Sequence, residues 1–438
     1  MTNPFPHNQA DPTVRKMRLW VRRSRSGRLA ALLGGLVALS LAAGCSLPVM
    51  PMDQLITAPV LAVVPTTTPA PTALPPLPTG PAPTPTLYPE FGGVTATYYS
   101  ADPQTAVLLY HHFVPDNAHA DDTHIRYSEF RRELQTLYDN GYSLIPLDRW
   151  LKGDLQMPAG RRPLILTIDD LFFADQVFIQ KDGTPAPNTG IGILWRFSQS
   201  HPDFGFAAAL FTNLGDKDYA NVAAGSAYIK GTGWEESLAR TIVWCIDHGA
   251  IPYNHFFRHP YLDKMSADQL TAQARDNDMR LQALLQRAGR PELFDGIENI
   301  LALPYGHWPT IPAALQALLD YTSPQGKPVL GIIEVGGIYA GHYLQPPYSA
   351  EFERNHVPRM VGSSLAMSYL THYKDRFPSA EQYPLGNLDL NRLIQPEDQR
   401  TALQSACQSA PCPNGVYALL GSLFRVTDGS VSLLWAKP

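Results

Sequence analysis

Three things are scarce in this sequence: cysteine, charge and long apolar runs. Four cysteines in 438 residues exclude a disulfide-dense scaffold. Cys407 and Cys412 lie five apart near the C-terminus, and in an exported chain such a pair favours a small local disulfide loop over a metal site. Cys245 falls on an expected helix and reads as a buried apolar residue. Charged residues make up 17% of the chain, and the formal net charge of −5 hides an asymmetry. Residues 1–44 hold seven basic residues and one acid, Asp11, which leaves 27 basic against 38 acidic residues beyond them, a net of −11. A surface that acidic offers no broad footprint for nucleic acid. The uncharged run from Leu29 to Gly44 has sixteen residues, short of the ~20 a membrane span needs.

What is present at the N-terminus suits export. A basic stretch precedes that run, and small residues at its end precede the cut, as in a signal peptide. Leu41-Ala42-Ala43-Gly44-Cys45 resembles a bacterial lipobox, which implies lipidation of Cys45 and anchoring at the extracytoplasmic face of the membrane. Ala42 stands where that pattern usually has Leu. A plain secretory signal or an uncleaved anchor helix are the alternatives. Residues 45–94 read as a linker: thirteen prolines fall between 46 and 89, with no charge between Asp53 and Glu90. Such a segment cannot bury a core and favours extended, polyproline-like conformations. No repeat of solenoid type is visible.

From residue 95 onward, apolar runs alternate with helical patterns. Strands are expected at 105–113, 143–147, 164–170, 206–212, 251–255, 300–305 and 329–335. Helices are expected at 127–140, ended by Gly141, at 235–248, and at 266–288, where Ser266 and Gln269 have capping-box spacing. The alternation argues for an α/β fold with a parallel sheet or barrel and outer helices, in which chemistry sits at the carboxyl ends of strands. Residues 390–438 differ. Asp428-Gly429 between two apolar runs signals a hairpin, so a small β appendage is expected there.

Three strand ends carry the polar residues of interest. Leu164 through Ile168 runs into Asp169-Asp170, and two adjacent carboxylates are unfavourable unless a cation compensates them. A solvated strand end or a helix cap would explain the pair equally well. His255 and His259 stand four apart after another strand, a spacing that lets two imidazoles meet on one helical turn and chelate a metal. Pro304-Tyr305-Gly306 ends a third strand, where turn chemistry and a core tyrosine are the plainer readings.

Taken in order, Thr167-Ile168-Asp169-Asp170, Asn254-His255-Phe256-Phe257-Arg258-His259-Pro260 and Pro304-Tyr305-Gly306 resemble the polysaccharide deacetylase family (carbohydrate esterase family 4, the NodB-homology domain). Val107 through His112, Phe130 through Tyr142, and His356-Val357-Pro358-Arg359 resemble its flanking segments. The resemblance spans roughly residues 100–375 and sets the expected catalytic domain at 95–389. It implies a distorted (β/α) barrel and a divalent metal, most readily zinc, with cobalt or nickel as alternatives. By position, Asp170, His255 and His259 would bind the metal and Asp169 would be the general base. Pro304, Tyr305, His112 and Arg359 would contact substrate, with the Tyr305 backbone N–H toward the oxyanion. Leu370-Thr371-His372 is the textual match for the family's general acid; His111, His112, His307, His342 and His356 are the other candidates. The family often has Arg where Ala302 stands, and Arg359 is the candidate to replace it. Phe256 stands where Ser or Thr is usual, and no Asp-x-x-Asp-Trp motif is clear. The implied activity is removal of N-acetyl groups from a cell-surface polysaccharide by a lipid-anchored monomer. The alternative is a non-catalytic carbohydrate-binding lipoprotein on the same fold.

Overall fold

The computed structural model describes residues 93–180, 182–215, 234–335 and 343–436. The leader, Cys45 and the linker as far as residue 92 lie outside these, as does His342, while Val94, the last residue of the expected linker, already belongs to a strand. The described chain opens on β1 (Val94–Tyr99), a strand of a second sheet. The main sheet follows: β2 (Ala106–Tyr110), β5 (Tyr142–Leu144), β6 (Arg162–Leu171), β7 (Ala208–Thr212), β8 (Ala250–Asn254), β9 (Ile300–Ala302), β10 (Gly331–Ile333) and β11 (Met360–Val361). Every pairing in it is parallel, in the order β10-β9-β8-β7-β6-β2-β11, with β5 beside the start of β6. β2 and β7 are buried along their whole length, as strands covered on both faces must be. The expected strand at 105–113 is two pieces. His111 interrupts it, and β3 (His112–Val114) leaves the sheet to pair with β4 (His124–Arg126).

Helices connect the strands. Tyr127–Asp139 (α1) buries Phe130, Leu134 and Leu137, one apolar stripe at helical spacing. Gly190–Ser200 (α2) and Trp234–Asp247 (α3) follow. Ala267–Arg287 (α4) starts at a reciprocal capping box between Ser266 and Gln269, the spacing seen in the sequence. Pro312–Leu319 (α5) and Ser364–His372 (α6) complete the layer.

The sheet curls until its two edges nearly meet, and one short segment joins them. Ile332 and Glu334 of the β10 edge accept and donate backbone hydrogen bonds with Arg354 and Val357. Three residues later Met360 and Val361 pair with Leu108 and Leu109 of β2. Residues 354–361 therefore staple β10 to β2, with Arg359 in the middle of the staple. The expected α/β barrel is thus the observed architecture.

The C-terminal part is larger than a hairpin. An antiparallel sheet runs β12-β1-β13-β14-β15, where β12 is Glu381–Gly386, β13 Gly415–Leu419, β14 Ser422–Thr427 and β15 Ser430–Ala436. It draws β1 and β12 in from outside residues 390–438. Helix α7 (Pro396–Ser409) packs on it, and Cys407 and Cys412 are disulfide-bonded at the end of that helix. Asp428 and Gly429 both have positive φ, 49° and 77°, the conformation a two-residue hairpin turn requires. Cys245 is buried.

Candidate active site

Asp169 and Asp170 stand near the end of β6, ahead of its last residue, Leu171. In an unbroken strand, neighbouring side chains point to opposite faces. Here the β6–β7 register shifts between Ile168 and Leu171, and Asp170 adopts φ 61°. This local irregularity re-aims Asp170, so that both carboxylates face one site. Asp169 is fully buried, and so is Arg359. The guanidinium of Arg359 donates to Asp169 Oδ1 at 2.6 Å and to Oδ2 at 2.8 Å, a bidentate clamp. It also donates to Thr167 Oγ1 at 3.1 Å and to the Glu334 carbonyl at 2.7 Å, which fixes its plane. Burial alone would raise the Asp169 pKa; the charge and hydrogen bonds of Arg359 outweigh it and hold the carboxyl at about 2. Asp169 is therefore ionised throughout the neutral range. No guanidinium comes from position 302.

Asp170, His255 and His259 form one cluster whose donor atoms all lie within 4.8 Å of one another. His259 Nε2 is 3.3 Å from Asp170 Oδ1, and His255 Nε2 is 3.8 Å from the same oxygen. Ligands held at about 2.0–2.2 Å in a tetrahedron around zinc lie about 3.4 Å apart, so the spacing fits one ion. His255 Nδ1 lies 2.9 Å from the Ala302 carbonyl; donating there, it leaves Nε2 as the lone-pair nitrogen facing the carboxylates. Asn213 donates to Asp170 Oδ1 at 2.9 Å.

The two imidazoles do not meet on a helical turn. Residues 255–260 form an irregular turn in which Phe256 and His259 have φ of 60° and 48°. Side-chain hydrogen bonds impose that shape. Asn254 Oδ1 accepts from the Phe256 N–H, and its amide donates to Asp278 Oδ1 at 2.7 Å. Gln273 Oε1 takes the Arg258 N–H.

His372 does not reach this site. It closes α6, exposed, beside Tyr373. Two residues on, the Lys374 carbonyl accepts from Arg162 Nε. Arg162 is the first residue of β6, and Asp169 is seven residues along it, about 23 Å away at ~3.3 Å per residue. His372 thus belongs to the opposite end of the barrel. His111 takes the place opposite Asp169. Tyr110 pairs with Ile168 in register, so the next residues, His111 and Asp169, sit side by side at adjacent strand ends. Gln176 ties them together by donating to both backbone carbonyls, at 2.9 and 2.8 Å. His111 Nδ1 is buried without a hydrogen-bond partner among the described residues. Burial lowers its pKa, opposed by the charges of Asp169 and Asp170.

His112 is otherwise engaged. Its Nδ1 meets Asp175 at 3.0 Å, and its ring stacks on His124 and touches Phe173. His356 meets Glu334 at 2.8 Å and stacks on Trp308. Pro304 is buried at the first position of a short turn whose next residue, Tyr305, has φ 56°. A left-handed conformation costs a non-glycine residue ~1–2 kcal/mol. The Tyr305 ring lies against His259, with centroids 4.4 Å apart.

The sequence signals the clamp and the cluster but not their supports. Asn213, Gln176 and Asp278 had no motif to mark them. The one available sign was that Asn213 is a polar residue just past the carboxyl end of β7.

No family model and no curated protein matches this chain. Solved structures do. The Streptococcus pyogenes deacetylase PplD in complex with acetate is similar over 62% of this chain and 98% of its own, at 15% identity and a TM-score of 0.41. A polysaccharide deacetylase from Bacillus cereus is similar over 62% of this chain and 69% of its own, at 14% identity and a TM-score of 0.41. A carbohydrate esterase family 4 pseudoenzyme from Bacillus anthracis is similar over 49% of this chain and 59% of its own, at 12% identity and a TM-score of 0.26.

Proposed function

We propose that this chain is a polysaccharide deacetylase that hydrolyses N-acetyl groups on an N-acetylglucosamine-type glycan, using a divalent metal held by Asp170, His255 and His259. The observation that carries this reading is the position of a buried, ionised, guanidinium-clamped carboxylate, Asp169, beside a three-ligand cluster with zinc-like spacing. A zinc-like ion bound there would acidify a water and polarise the amide carbonyl.

The chain's own groups do the rest. Asp169 removes one proton as water adds to the acetyl carbon. Arg359 keeps its oxygens aimed and its charge balanced. His111, on the neighbouring strand end, hands a proton to the sugar nitrogen as the carbon–nitrogen bond breaks, releasing acetate and a free amine. The second reading is a non-catalytic carbohydrate-binding protein on the same fold; the Arg359 clamp on Asp169 and the place of His111 beside it favour catalysis.

The test is acetate release from chitin-type oligomers, poly-N-acetylglucosamine and peptidoglycan by the zinc-loaded protein. Wild type should release acetate from at least one, and Asp169→Asn should lose about 10²-fold or more with its metal content retained. Equal activity in Asp169→Asn, or none in metal-loaded wild type, would contradict the reading.

A further inference from the structure

Beside the cluster stands a pair of tyrosines whose stacked rings the proton transfers above do not use. Tyr261 and Tyr305 stack face to face, centroids 4.1 Å apart and planes 11° off parallel. Both are exposed, Tyr261 at 58% and Tyr305 at 48%. Tyr305 leans on His259 on its inner side, so the pair extends outward from the metal ligands ring by ring. The backbone that carries Tyr261 is anchored on its C-terminal side. The next residue, Leu262, is fully buried, and the Asp263 carbonyl accepts both the N–H and the hydroxyl of Thr310. His307 also meets the Tyr261 ring in a T-shaped contact, centroids 5.3 Å apart.

A preorganised exposed aromatic pair needs a ligand with a flat apolar face and a polar rim. The face of an aromatic ring is electron-rich. A pyranose offers the complement, a face of C–H bonds ringed by hydroxyls, and the tyrosine hydroxyls meet that rim. An aliphatic partner would instead leave those hydroxyls under-hydrogen-bonded. Rigidity also matters, because a fixed platform spends little ordering entropy when the ligand lands.

We infer that Tyr261, braced by Tyr305, is a sugar-stacking platform that binds a residue of the glycan adjoining the one being deacetylated. This rests on the deacetylase reading and deepens it: the enzyme should prefer oligomers over single sugars, and the preference should reside in Tyr261. As a positioning residue, Tyr261 should act on binding rather than chemistry.

The experiment compares Tyr261→Ala, Tyr261→Phe and wild type, all zinc-loaded, on N-acetylglucosamine oligomers of one to five units and on an aryl acetate. For the tetramer and pentamer, Tyr261→Ala should raise KM about tenfold with kcat within twofold. Tyr261→Phe should stay near wild type, and aryl acetate turnover should be unchanged in all three. An unchanged KM in Tyr261→Ala, or equal losses on the aryl acetate, would overturn the platform. In parallel, calorimetric titration of the same oligomers into Asp169→Asn, with and without Tyr261→Ala, reads binding without turnover. If wild type cleaves no glycan, the deacetylase reading fails by itself. The platform then stands if Tyr261→Ala weakens oligomer binding about tenfold, and falls if it does not.

Discussion

At the residue scale, the account turns on which histidine faces Asp169. The sequence offers His111 and His112 side by side, plus His372 in a textual match. Register across the sheet decides between the first two, and register is not legible from a motif. The pairing of Tyr110 with Ile168 settles which residue lies opposite Asp169. We therefore expect His111→Ala to lower kcat about 10²-fold or more, while His372→Ala leaves kcat and KM at wild-type values. Steady-state acetate release measures both; the reverse pattern would remove His111 from the proton path. Arg359 was visible as a candidate because an arginine was missing at 302. Its bidentate geometry was not visible, because it depends on where a two-residue strand lands.

At the scale of elements, long periodic segments were legible. The 127–140 and 266–288 helices appear within a residue or so of their expected bounds, since amphipathic stripes and a capping box act locally. The strand ends were less so. Asp170, Phe256, His259 and Tyr305 all take positive φ, and none is glycine, so nothing in composition marks them. The turn after β8 is held by tertiary hydrogen bonds, above all the buried Asn254–Asp278–Tyr321 chain, in which Asp278 accepts at 2.7 Å from each neighbour. Burial raises the Asp278 pKa to about 7, with the hydrogen bonds from Tyr321 and Asn254 opposing the shift. The sign follows from linkage. Between the unfolded value of 3.8 and about 7, the folded state keeps a proton that the unfolded chain releases. Stability should therefore fall as pH rises across that window, by up to about 1.4 kcal/mol per pH unit, and level off above it. Glu133, raised to about 7 mainly by burial, adds a slope of the same sign. The diagnostic is the difference: Asp278→Asn should flatten the denaturation-midpoint profile between pH 5 and 7 relative to wild type. Parallel profiles would show that Asp278 is not the protonated group.

At the scale of the whole molecule, barrel closure and the site are one feature. Residues 354–361 join β10 to β2, and the same segment carries the guanidinium that clamps the base. The alternation of strands and helices made the barrel legible, but the closing staple was not, because it contains Pro358 and pairs through only a few residues at each edge. The extent of the second sheet was hidden for a related reason. Its strands β1 and β12 come from far apart in the chain, and antiparallel partners distant in sequence leave no local signal. The central claim is that Asp170, His255 and His259 hold one catalytic metal. The most direct measurement is a zinc titration of chelator-stripped protein, with bound metal and acetate release read on the same samples. The account predicts that both rise together and saturate at one equivalent per chain, and that His255→Ala and His259→Ala lose both. Activity without bound metal, or tight stoichiometric binding that survives loss of both histidines, would contradict it.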